Sequence, residues 1–152
     1  MKAVALVLVL CAAPVFAQEP VNRAADVISW GTAAVNPIVA TVQALRSEDK
    51  VCQLGRLAIS EGIGNGVTLA LKHFIDSPRP CLGCDHMGMP SGHSMNAVIG
   101  ASWNLKVSWT FALGTAQLRR TAHKHTLPQV AAGLGLGALS EFAGQKLLHC
   151  HE

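Results

Sequence analysis

The sequence predicts an all-α protein folded as a compact helical bundle. Ala, Leu and Val recur at helical spacing through most of the 152 residues, strand-like alternation is scarce, and neither an internal repeat nor a low-complexity tract interrupts the pattern.

The chain opens with Lys2, an apolar run over residues 3–13 and small residues ending at Ala17, which is the arrangement of a secretory signal cleaved after Ala17. Residues 1–17 are therefore read as a signal peptide and residues 18–152 as one domain, since ~135 residues suit a single core. The apolar run is shorter than the ~20 residues a bilayer span requires. Export would place the mature chain in the periplasm or outside the cell.

Residues 22–34 predict a first amphipathic helix, Asn36-Pro37 a break, and a second helical segment to residue 45, with a charged loop over residues 46–50. A longer helix is expected over residues 51–75. Its Gly55, Gly62, Gly64 and Gly66 each weaken it by up to about 1 kcal/mol relative to alanine. No Lys-Ser/Thr follows them, so they read as helix-packing residues rather than a phosphate-binding glycine loop. Ser77-Pro78-Arg79-Pro80 ends this helix, because proline excludes the helical pattern and holds its predecessor extended. Ser91 N-caps the next helix and turns the backbone N–H groups of Gly92 and His93 outward at its positive end. Pro128 fits the first turn of the last helix, and Gln129 lies one helical turn after His125.

Cleavage after Ala17 removes one of 12 basic residues and none of the 9 acidic ones, so the formal charge drops from +3 to +2. Such a weak global field does not indicate nucleic acid as a partner, and the local excess at Arg119, Arg120 and Lys124 suits a phosphate pocket better. Cys52, Cys81, Cys84 and Cys150 remain, and an even count in an exported chain favours disulfides. Of three pairings, Cys81–Cys84 with Cys52–Cys150 is favoured, the first pair being close in sequence directly after Arg79-Pro80. The competing reading is a metal site from Cys81, Cys84 and His86, or from the tail His149-Cys150-His151-Glu152.

Three short strings carry the chemistry: Lys72-x6-Arg79-Pro80, Pro90-Ser91-Gly92-His93 and Arg119-x5-His125. Charge builds on the outer oxygens of a phosphate as its ester bond breaks, and fixed cations such as Lys72, Arg79 and Arg119 stabilise it. Arginine grips two oxygens at once, whereas lysine acts as a point charge. Imidazole can attack phosphorus or protonate a leaving alkoxide near neutral pH, and two histidines allow both.

These strings resemble, in order and spacing, the type 2 phosphatidic acid phosphatase (PAP2) superfamily, which includes bacterial class A acid phosphatases and vanadium haloperoxidases. The first motif, Lys-x6-Arg-Pro, and the second, Pro-Ser-Gly-His, match fully. The third, Ser-Arg-x5-His-x3-Asp, matches at Arg119 and His125, but Leu118 replaces the serine and Gln129 the aspartate. The resemblance covers residues 56–144. It implies a helical bundle of that type and a metal-independent phosphatase of phosphomonoesters or pyrophosphates. His125 would be the nucleophile that forms a phosphohistidine, and His93 would protonate the leaving oxygen. Lys72, Arg79, Ser91, Gly92 and Arg119 would hold the phosphate, with Gln129 in the orienting position. No cofactor is implied for that reaction. The alternatives are a haloperoxidase holding vanadate in the same pocket, a phosphate-binding protein weakened by loss of the aspartate, and a membrane lipid phosphatase.

His93 and Arg119 must meet around one phosphate, yet a continuous helix between them would part its ends by about 37 Å. The segment must fold back. A turn at Asn104-Leu105-Lys106 is expected, leaving arms of about 15–18 Å against a hydrocarbon thickness of ~30 Å. This favours a soluble domain. Trp30, Trp103 and Trp109 read as core residues, with peripheral contact to a membrane or lipid phosphate as the lesser alternative. The expected partner is a small phosphorylated molecule, and oligomeric state is not legible.

Overall fold

The computed structural model describes residues 19–101 and 105–150. Among them it holds five helices: α1 (Arg23–Arg46), α2 (Lys50–Phe74), α3 (Gly92–Asn96), α4 (Leu105–Thr121) and α5 (Leu127–Leu147). The described residues contain only isolated β-bridges, Glu19 with Cys81 and Ser77 with Met87, so the expected all-α class holds. The proposed signal peptide lies outside the described residues.

α1 packs along α4 and α2 along α5, while the short α3 sits among the four longer helices. Small side chains make this possible. The central cluster is Ala33, Ala97, Val98, Ala101 and Ala112, with Trp109, Leu134 and Ala138 packed against it. On α5, a methyl group at Gly133 would lie 2.3 Å from the Ser91 carbonyl oxygen and one at Gly137 2.4 Å from that of Met95. The two glycines let the α3 backbone rest directly on α5, and this contact fixes where Gly92 and His93 stand. Of the α2 glycines, Gly64 meets Met95 and Ile99 and Gly55 meets Leu148, whereas Gly62 and Gly66 face open space.

The break expected at Asn36-Pro37 does not occur, since α1 runs through Pro37. Proline costs this helix one N–H donor. Tertiary bonds hold the turn instead: the buried Asn36 carboxamide donates to the carbonyls of Ala97 and Ser108. Thr115 donates to Thr32 at 2.8 Å, a second tie between α4 and α1.

The fold-back between His93 and Arg119 is present, but it comes earlier than expected. Leu105 and Lys106 are already helical, and α3 ends at Asn96. Before α4 stands Gly100, whose φ of +80° and approach to Ala40 and Asn36 leave no room for a side chain. Asn104 of the expected turn lies outside the described residues. Among the described residues, no helix is long and apolar enough to cross a membrane.

Both favoured disulfides are formed, Cys52–Cys150 across 98 residues and Cys81–Cys84 across 3. They fit an oxidising compartment. The sulfurs of the alternative metal sites are thereby committed, including those of Cys52 and Cys150 beside Asp49. His86 instead contacts Asp76 at 2.8 Å.

Candidate functional site

The start of α1, the end of α2, the start of α3, the end of α4 and the start of α5 converge on one cavity of about 280 Å³. Lys72, Arg79, Gly92, His93, Arg119 and His125, drawn from all three strings, line it together with Asp26, Trp30 and Lys124. Ser91 and Gln129 stand behind this lining. The buried Ser91 hydroxyl accepts from the Ser94 N–H and, at 3.1 Å, from the Ser94 hydroxyl, so it braces the helix start that presents Gly92 and His93.

His125 is 3% exposed and sits in the turn between α4 and α5. Its Nδ1 lies 2.9 Å from the Gly88 carbonyl oxygen and 3.3 Å from Gln129 Oε1. Both neighbours only accept hydrogen bonds, so the proton belongs on Nδ1 and the lone pair on Nε2. Burial, followed by the charges of Arg119, Arg79 and Lys72, lowers the His125 pKa well below the ordinary histidine value. The ring is a neutral, oriented base.

Gln129 holds more than the imidazole. Its Oε1 accepts from the Thr126 N–H at 3.0 Å, and its Nε2 donates to Ser77 Oγ and the Pro78 carbonyl, both at 2.9 Å. It fastens the start of α5 to the loop that follows α2. That loop is further closed by Cys81–Cys84 and by bonds from Ser77 N to His86 O and from Gly88 N to Ser77 O.

The two cations of the first string are braced from the same loop. The Lys72 ammonium and the Arg79 Nη2 both donate to the Met87 carbonyl, and Arg79 Nε pairs with Asp85 at 2.7 Å. Burial, then the neighbouring Arg79, pushes the Lys72 pKa down to about 8. Burial tends to raise the pKa of Asp85, but the Met87 N–H and Arg79 outweigh it and hold the carboxyl below its usual value.

Arg119 reaches the cavity from the last turn of α4 and is held by Asp26 and Ser29, with 3.1 Å to the serine hydroxyl. Ser29 in turn donates to the Asp26 carbonyl at 2.6 Å. His93 packs edge-on against Trp30 with ring centroids 4.3 Å apart, and its buried Nε2 has no hydrogen-bond partner. Burial, then the charge of Arg119, lowers its pKa to about 4.

Asp26, Trp30, Asp85, Lys124 and Gly88 were not singled out as site residues by the sequence strings. Lys124 carried a signal in the local basic excess, and its Nζ approaches Cys84 Sγ at 3.9 Å. Trp30 is not a core residue: it is 64% exposed and is among the residues lining the cavity, while Trp109 does pack on the core. Trp103 lies outside the described residues. A larger cavity of about 590 Å³ at the opposite end is lined by residues including Gln43, Arg56, Glu141 and Gln145. No family model, curated protein or solved structure matches the chain.

Proposed function

We propose that the protein is an exported phosphatase of the PAP2 type, hydrolysing phosphomonoesters or pyrophosphates through a phosphohistidine at His125. The observation that carries this reading is the His125 imidazole, its Nδ1 held by the Gly88 carbonyl, in a cavity lined by Lys72, Arg79, Arg119 and His93.

Three steps follow from the groups present. Substrate phosphate seats against the three cations and the Gly92 backbone at the start of α3. His125 Nε2 then supplies its lone pair to phosphorus while the ester P–O bond breaks, and His93 gives its proton to the departing oxygen. Water attacks the phosphohistidine, the P–N bond breaks, and His93 takes the water's proton. His93 is neutral in the empty cavity, and the bound phosphate anion raises its pKa so that it enters the reaction protonated.

The family's aspartate has two effects on a nucleophilic histidine, fixing its tautomer and stabilising its positive charge. Loss of such a carboxylate in serine proteases costs ~10⁴ in rate, mainly through the tautomer. Here a backbone carbonyl selects the same tautomer without charge. This supports activity in spite of Gln129.

Purified protein is expected to release phosphate from an aryl phosphate without added metal, with inhibition by vanadate, which the same groups would bind as a phosphate mimic. His125→Ala should abolish turnover. Binding of phosphate and vanadate without turnover in the wild type would reassign the chain as a phosphate-binding protein.

A further inference from the structure

Trp30 is the largest apolar group at the cavity, and the chemistry proposed for His93 and His125 gives it no part. A cavity of about 280 Å³ lies just below the ~300–1,000 Å³ usual for ligand sites, so beside a phosphate it has room for only a small part of a leaving group, and a larger one emerges at the rim. The exit side follows from the reaction, because the leaving oxygen must face its proton donor, His93. Trp30 contacts His93 directly and is 64% exposed, so the leaving group emerges beside an open indole.

The platform is held in place. Asp26 and Trp30 are four residues apart and therefore share one face of α1. Asp26 and Ser29 in the same turn are tied to Arg119, so the indole is registered against the phosphate-binding cation rather than standing on a loose segment. Charge narrows the chemistry of the guest. With Asp26 committed to Arg119 and Asp85 to Arg79, the cavity offers a cationic leaving group no free carboxylate partner among the described residues. A flat, uncharged π-system gains from stacking on an indole by about 0.5–1.5 kcal/mol beyond its burial.

We propose that Trp30 forms a leaving-group subsite and that the substrates are phosphate esters whose leaving group carries an aromatic ring next to the phosphate. This rests on the phosphatase reading for the direction of the leaving group. Benzylphosphonate and cyclohexylmethylphosphonate test it without turnover, since their P–C bond is not hydrolysed and they differ chiefly in ring planarity. Calorimetric titration of wild-type protein should show benzylphosphonate binding about 3- to 10-fold tighter, although the cyclohexyl ring is the more hydrophobic. Trp30→Ala should erase the difference while inorganic phosphate still binds, and Trp30→Phe should restore most of the difference. Equal binding of the two phosphonates to wild type, or a preference that survives Trp30→Ala, overturns the subsite. Hydrolysis of benzyl phosphate is scored separately: its absence removes the phosphatase reading, while the phosphonate ratio still decides whether Trp30 is a ring platform.

Discussion

The two ends of the bundle carry cavities of unequal size and different charge balance. The larger, about 590 Å³, lies beside the Cys52–Cys150 disulfide and contains both a carboxylate and a guanidinium. Its carboxylate is already committed, since Glu141 accepts from the Gly100 N–H at 3.0 Å and from Gln145 at 3.3 Å. The smaller cavity, about 280 Å³, sets four cations, an unpartnered histidine nitrogen and an oriented neutral imidazole against a single carboxylate, Asp26. Volume therefore does not distinguish the two ends, whereas the excess of cations over carboxylates and the unpartnered His93 nitrogen do.

Exchanging one residue at each end gives the largest contrast. His125→Ala should lower kcat/KM for an aryl phosphate by about 10³-fold or more, as loss of a nucleophile does elsewhere. Glu141→Ala should leave kcat/KM within about threefold in the folded protein. It should instead lower stability by about 1–3 kcal/mol, because the buried Gly100 N–H at the left-handed turn loses its acceptor. Parallel denaturant unfolding and steady-state assays read both effects. A collapse of kcat/KM in folded Glu141→Ala would erase the distinction between the two ends.

Gln129→Asp separates resemblance of motif from architecture. By motif alone, aspartate restores the family pattern and should speed the reaction. The structure argues the reverse, because the shorter side chain lacks the amide that donates to Ser77 and Pro78 and withdraws the oxygen that accepts from Thr126. Expected outcomes are a stability loss of about 1–3 kcal/mol and a kcat no higher than wild type. A variant that is both faster and equally stable would show that the missing charge, not the lost anchor, controls this end of the molecule.

The helices were legible because apolar spacing and capping residues act locally. Ser91, the proline turn after α2 and Pro128 all sit where local chemistry places them. Pro37 was misleading because its tolerance depends on Asn36 reaching carbonyls 61 and 72 residues away. Lys72, Arg79, His93, Arg119 and His125, which line the smaller cavity, were picked out by the three strings and the resemblance those strings carry. Asp26 was not, since its partner Arg119 is 93 residues distant and nothing near it in sequence announces a site. Gly88 was hidden for a different reason: its contribution is a backbone carbonyl, which every residue type possesses.

Titration should act chiefly at the site end, where the shifted lysine and histidines converge. Lys72 loses its charge above about pH 8, so phosphate affinity and kcat/KM should decline above that point, approaching tenfold per pH unit if the neutral lysine is inactive. Lys72→Arg should move this alkaline limb upward. Stability has the opposite sign with pH. His93 titrates near 4 in the folded protein and at about 6.5 in the unfolded chain, so the unfolded state binds more protons between those values. The contribution is present above about pH 6.5 and is lost as pH falls towards 4. Thermal unfolding midpoints should drop across that window, and His93→Asn should flatten the drop. An alkaline limb unchanged in Lys72→Arg would remove Lys72 from phosphate binding.

The smallest expected effect tests the one carboxylate that lines the smaller cavity. Asp26 pairs with Arg119, yet it also places negative charge in the cavity proposed to hold an anion. These roles predict opposite results for Asp26→Asn, which keeps the size and the accepting oxygen but removes the charge. If repulsion dominates, phosphate should bind tighter, since one like charge at about 4 Å costs from ~1 kcal/mol in water to ~4 kcal/mol at an effective dielectric of 20. Screening and the distance from Asp26 to the bound oxygens place the expected gain near the lower bound, roughly fivefold. The gain should be larger at pH 7.5, where more phosphate is dianionic, than at pH 5, and should shrink as salt is added. Weaker binding in Asp26→Asn would instead assign the carboxylate to positioning Arg119, with repulsion the lesser term.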